Sequence, residues 1–98
     1  MAFRVDFTEL AAEDLESISK FIAEDNPAAA ARVCRGLYEL ALSLATNPFI
    51  GRITPEYSDP TIRDISQGSY RIVYLVDERL QRVGILRFWH GARGFLPG

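Results

Sequence analysis

Lysine is almost missing from this chain: ten of its 11 basic residues are arginine, and Lys20 is the exception. Histidine, cysteine, tryptophan and methionine also occur once each. One cysteine, Cys34, can close no internal disulfide, which fits a reducing compartment. One histidine and one cysteine far apart in sequence fall short of a metal-ligand set, and no cofactor motif is present, so no metal and no cofactor are expected. No apolar run approaches the roughly 20 residues that span a bilayer, so no membrane partner is expected. The N-terminal residues lack the basic and apolar regions of a signal peptide, and a cytoplasmic location is expected. The net charge of −2 lacks the basic footprint of a non-specific nucleic-acid binder, and no sequence-specific nucleic-acid binding is expected either.

What is present is an ordinary globular balance, 48% apolar and 24% charged over 98 residues, the size of one domain (1–98). Charge is unevenly placed. Residues 1–46 carry eight acidic and four basic side chains, whereas residues 47–98 carry five acidic and seven basic. Arginine in the second half suits fixed bidentate contacts with carboxylate or phosphate.

The centre of the chain runs from Tyr70 to Arg93. Two β-branched and aromatic runs flank Glu78 to Gln81 and read as a β-hairpin. Its first run is apolar on both faces, as a strand in the middle of a sheet requires. Upstream, Phe3 to Phe7 alternates as a half-buried strand. Thr8 then caps a helix to about Glu24, with an apolar stripe of Ala11, Leu15, Ile18 and Ile22. Asn26-Pro27 starts a second helix to about Ala45, antiparallel to the first, striped by Ala30, Val33, Leu37, Leu40, Ala41 and Leu44. Gly36 inside it is read as a close approach to the first helix. Residues 48–61 hold three prolines and read as irregular. Ile62 to Ser66 is a strand, 67–69 a tight turn, and Gly94 to Gly98 a frayed end. The fold class is therefore α+β, β-α-α-β-β-β, an antiparallel sheet with an N-terminal helical hairpin packed on one face.

A helical hairpin covers one face and predicts an open one opposite, a surface for a partner. A four-residue hairpin turn pairs Val73 with Leu86 and Arg71 with Phe88. A three-residue turn at 67–69 pairs Ile65 with Arg71 and Arg63 with Val73. The open face then collects Arg63, Ile65, Arg71, Val73, Leu75, Leu86, Phe88 and His90. The core face takes Ile72, Tyr74, Val76, Val83, Ile85 and Trp89, with Arg87 near its end. Arg63, Arg71 and His90 become a cationic group fit for a phosphate or an acidic side chain. A one-residue slip would turn a whole strand over. Cys34 reads as an apolar filler, and Trp89 and Tyr74 as core.

Taken in order, Ala12 to Leu15, Asn26-Pro27-x-x-Ala30, Leu44-x-x-x-Pro48-x-x-Gly51-Arg52, Ile62 to Ile65, Tyr70 to Tyr74 and Ile85 to Arg93 resemble the ParE/RelE family of bacterial toxin–antitoxin toxins. The resemblance implies one of two activities. RelE-like members cut mRNA in the ribosomal A site, and ParE-like members poison DNA gyrase with no catalytic act known. In the RelE type, arginines matching Arg71 and Arg93 stabilise the transferring phosphate, and His90 could carry a proton. Two lysines of that type are replaced here by Ile62 and Asp64, and an acid is the wrong charge beside a developing dianion. The resemblance therefore favours the ParE branch, with Arg63, Arg71, Arg87, His90 and Arg93 as target- or partner-binding residues, gyrase as target and a ParD-like antitoxin as partner. The alternatives are a RelE-like mRNA endonuclease using Arg71, His90 and Arg93, and an inactive antitoxin-binding relative.

Overall fold

A computed structural model describes residues 2–94 and Leu96. Alternation at the N-terminus gives β1 (Arg4–Phe7). The Thr8 side chain accepts from the Ala11 N–H and caps α1 (Glu9–Ala23). Asn26 caps α2 (Pro27–Ser43) in the same way through the Ala29 N–H, with Pro27 at the position where a missing N–H costs nothing. There follow a two-residue β2 (Arg52–Ile53) inside the proline-rich crossing, β3 (Ile62–Gln67), β4 (Tyr70–Asp77), β5 (Arg82–His90) and a short 3-10 turn, Gly91–Arg93.

The strands form one sheet in the order β1-β5-β4-β3-β2. β3, β4 and β5 pair antiparallel, as expected, and the unexpected β2 adds to β3 antiparallel, but β1 joins β5 in parallel, so the sheet is mixed. Both helices lie on one face. Ala11, Leu37, Ala41 and Leu44 pack there against Ile72, Tyr74, Val76, Val83, Ile85 and Phe88. Gly36 does not serve the approach of α1. A Cβ there would lie 2.8 Å from the Gln67 side-chain nitrogen, at the end of β3.

Two details of the ladder overturn the expected faces. The β3–β4 turn has two residues, Gly68 at φ 58° and Ser69, so Ile65 pairs with Ile72 and Asp64 with Val73. The β4–β5 hairpin begins in the expected register, Asp77 opposite Arg82 and Tyr74 opposite Ile85. A bulge then passes over Leu86, and Val73 pairs with Arg87. An extra residue in one strand inverts every side chain beyond it. Phe88 therefore enters the helix-side core, while Trp89 moves to the opposite face.

That opposite face is not open. Val73, Trp89 and Leu96 form a second buried cluster, flanked by Tyr57, Ile62 and Leu86. Its cover is the proline-rich crossing and the C-terminal segment. Of the end expected to fray, Phe95, Pro97 and Gly98 lie outside the described residues. Leu96 is buried, and the Gly94 N–H donates to Gly91 O at 3.1 Å.

Candidate functional site

The expected cationic triad does not assemble. Arg63, one step out of its expected register, turns to the helix side. There its Nη1 donates to Gly51 O at 2.7 Å and its guanidinium lies 5.2 Å from the Phe49 ring centre. Arg71 stays on the opposite face. His90 pairs with Tyr70 across the ladder, meeting its ring edge-on at 4.9 Å. Adjacent strand positions point to opposite faces, so Arg71 and His90 are separated by the sheet.

Arg71 is the most constrained of the candidates. Its Nη1 and Nη2 donate to the two Glu56 carboxylate oxygens at 2.6 and 2.9 Å. Nη2 also donates to Asp64 Oδ2 at 2.7 Å, and the Arg52 Nε donates to the other Asp64 oxygen at 3.0 Å. Only 12% of the Arg71 side chain and 5% of Glu56 remain exposed. The Arg71 hydrogen bonds outweigh burial and hold the Glu56 carboxyl down to about 2. The same pairing holds the Arg71 guanidinium above its ordinary value. Glu56 Oε2 also accepts the Leu96 N–H at 3.1 Å, tying the C-terminal segment to the pair.

A second arginine cluster closes the far end of β5. Arg87 Nε and Nη2 donate to the Asp14 oxygens of α1 at 2.7 and 3.0 Å, and Asp14 also accepts the Phe88 N–H at 3.1 Å. Beyond Phe7 no β1 residue pairs with β5, so this carboxylate satisfies a strand-edge donor that the ladder leaves over. Trp89 is held between two guanidiniums, Arg87 at 4.8 Å and Arg93 at 4.2 Å from its ring, and its Nε1–H donates to Gly94 O. The His90 Nδ1 is spent as acceptor for the Ala92 N–H at 3.0 Å.

Between α1 and this end of β5 lies a groove of about 670 Å³. Leu10, Ile18 and Phe21 form its apolar wall on one side, Tyr70, Phe88 and His90 on the other. Phe21 is 73% exposed, an unusual state for so large an apolar side chain. Glu13 and Ser17 edge the groove along the helix, and Arg93 edges it from the 3-10 turn.

The sequence model of the "ParE toxin of type II toxin-antitoxin system, parDE" matches residues 5–95. The chain belongs to this family of toxins. No curated protein matches it significantly. Among solved structures, the toxin–antitoxin complex RelBE2 of Mycobacterium tuberculosis is similar, with 25% identity, 92% of this chain and 99% of that chain covered, and a TM-score of 0.70. The chromosomal ParDE system of P. aeruginosa gives 20% identity, coverage of 91% and 96%, and a TM-score of 0.72. The intact RelBE complex of E. coli gives 19%, 92% and 98%, and 0.68. These last two share the fold.

Against that family background, the candidates divide by what they are free to do. Arg71 is neutralised by two carboxylates, Arg87 by one, and Arg63 is engaged by backbone carbonyls. Among the described residues Arg93 has no carboxylate within ion-pair distance, and it is exposed. Sequence reasoning missed Glu56, Asp14 and the groove. Glu56 sits in an irregular segment with no periodic signal. The groove did leave one: Leu10, Ser17 and Phe21 form a second line on α1, beside the apolar stripe that meets the sheet.

Proposed function

We propose that this type II toxin belongs to the ParE-like branch: it acts by binding, DNA gyrase is its target, and a ParD-like antitoxin neutralises it. The observation that supports this reading is the state of Arg71. A nuclease of the RelE type needs that guanidinium for the transferring phosphate, yet here Glu56 and Asp64 occupy it. A phosphate would have to displace a bidentate carboxylate from a nearly dry site and leave that charge uncompensated. His90, on the other side of the sheet, cannot act on the same phosphate as Arg71 in this arrangement. The groove beside α1 supports an antitoxin seat: its exposed apolar wall and length suit an amphipathic segment that folds on binding.

The test is direct. Purified chain should stabilise cleaved DNA–gyrase complexes and leave mRNA on programmed ribosomes intact. Arg93→Ala should abolish toxicity, and His90→Gln should retain it, with antitoxin binding preserved in both. A nuclease that used His90 as acid or base would instead lose roughly 10²–10⁴-fold in rate in His90→Gln. Ribosome-dependent cleavage that disappears in that variant would replace this reading with the RelE-like one. Expression without growth arrest would leave an inactive antitoxin-binding relative.

A further inference from the structure

β1 covers only the first half of the β5 edge. Its last pairing sets Phe7 beside Ile85, and the bulge at Leu86 then reverses which backbone groups of β5 face outward. Gly91 N–H donates across the sheet to Ser69 O at 2.7 Å, and Phe88 N–H donates away from it to Asp14 at 3.1 Å. Phe88 and His90 therefore carry the outward groups of this half-edge, while Arg87 and Trp89 turn theirs to β4. Thr8 Oγ1 donates to Leu86 O and Asp14 takes the Phe88 N–H, which leaves Phe88 O and the His90 N–H. Among the described residues neither has a hydrogen-bond partner. Both residues line the groove beside α1.

We propose that the antitoxin segment seated in this groove is extended and adds to β5 as a short strand where β1 stops; the inference rests on the groove being that seat. A carbonyl and an N–H two residues apart on one edge fit a single residue of a parallel strand, which donates to the first and accepts from the second. β1 meets β5 in the same parallel sense, with the Arg4 N–H on Gln81 O. A helix cannot take both groups, because its interior N–H and C=O groups are already bonded to one another. Asp14 closes the ladder at Phe88 and the Gly91–Arg93 turn closes it after His90, so the added strand is short. Alternation then sets its side chains. The residue opposite Trp89 points to the face that holds Trp89 and Arg93, and an acidic side chain there meets a guanidinium with no carboxylate of its own among the described residues. Its two neighbours point to the helix side and are apolar, since Phe88 and Tyr70 face Ile18 and Phe21 there across the groove. The exposed Phe21 ring gains a cover. The acidic contact is exposed and worth a factor of about five at most, in keeping with antitoxin binding that survives Arg93→Ala.

A proline tests the backbone bond. His90 has φ −78° and its N–H points outward from a free edge, a position where proline costs no bond within the chain. His90→Pro and His90→Ala both lose the imidazole, and only the alanine variant keeps the N–H. In isothermal titration against full-length antitoxin, His90→Pro should bind roughly tenfold or more weakly than His90→Ala. A second measurement needs no variant: by NMR the wild-type His90 amide should exchange rapidly in the free chain and slowly in the complex. An amide that exchanges as fast in the complex as in the free chain would overturn the proposal, and so would equal affinities of the two variants. Where Phe21→Ser still weakens binding, either of those results leaves the groove as the seat and removes only the extended strand. Undiminished binding by Phe21→Ser moves the seat elsewhere, and both readings fall together.

Discussion

Replacing Glu56 with glutamine keeps the shape of the side chain and an oxygen for the Leu96 N–H, and removes the charge that Arg71 grips. The size of the effect follows from the carboxyl's displacement. Its value falls from an ordinary 4.5 to about 2 in the folded chain, chiefly through the Arg71 hydrogen bonds. Each unit is worth about 1.4 kcal/mol, so the charged pair contributes about 3 kcal/mol. A folded value below the unfolded one means that this stability is fully present above about pH 4.5 and is lost as pH falls toward 2. Glu56→Gln should therefore be about 3 kcal/mol less stable than wild type at pH 7, a drop of roughly 10–25 °C in melting temperature for a domain of this size. The gap should shrink to about 0.5 kcal/mol near pH 2, where the carboxyl of folded wild type is half protonated, and vanish below it. Urea melts of both proteins across that range, compared pairwise, cancel the titration of every other carboxylate. An equal gap at both ends would refute the electrostatic account. A gap below about 0.5 kcal/mol at pH 7 would make this an ordinary solvated pair.

Three further outcomes are expected. Gly51→Ala places a Cβ 2.5 Å from the Tyr74 hydroxyl and 2.6 Å from Asp64 O, and it disturbs the hydrogen bond from the Gly51 N–H to that hydroxyl. It should cost about 1–3 kcal/mol or more in denaturant melts, because backbone on one side and core on the other leave little room to shift. Asp14→Ala leaves Arg87 and the Phe88 N–H without their shared carboxylate and should cost about 2–3 kcal/mol by the same measurement. Phe21→Ser should leave the melting temperature nearly unchanged, since the ring is exposed, and weaken antitoxin binding by isothermal titration at least tenfold. Undiminished binding would move the antitoxin to another surface.

The parts of the fold that were legible in the sequence are those set by neighbours along the chain. Thr8 and Asn26 cap their helices because a short side-chain oxygen reaches an N–H three residues on. The apolar stripes of both helices and the alternation of β1 sort residues by period alone, and the helical hairpin on one face follows from a short connection. The parallel joining of β1 to β5 was not legible, since no local pattern in either strand specifies which distant edge it meets. β2 was lost because two residues carry no period.

The site failed for one reason acting twice. A strand's faces alternate with period two, so an error of one residue is total rather than partial. The turn at Gly68-Ser69 is one residue shorter than the tripeptide Gln67-Gly68-Ser69 suggests, and that exchanged Arg63 for Asp64 beside Arg71. The bulge at Leu86 then exchanged His90 and Phe88 for Trp89 and Arg87. Each shift has a burial consequence that no single strand displays: Phe88 and Ile65 join the helix-side core, and Trp89 gains a face shared with Leu96, 23 residues beyond Val73. The misread charge is the informative part. An arginine in an apolar strand needs a partner wherever its face is covered, and a covered second face was not anticipated. Once residues of the 54–61 segment and Leu96 lie over Arg71, a carboxylate from that cover is the least costly neutralisation, and Glu56 supplies it from the same segment that excludes the water. Burial and occupation of Arg71 are thus one event, and a chain that uses its second sheet face for packing gives up the free guanidinium that phosphate chemistry would need.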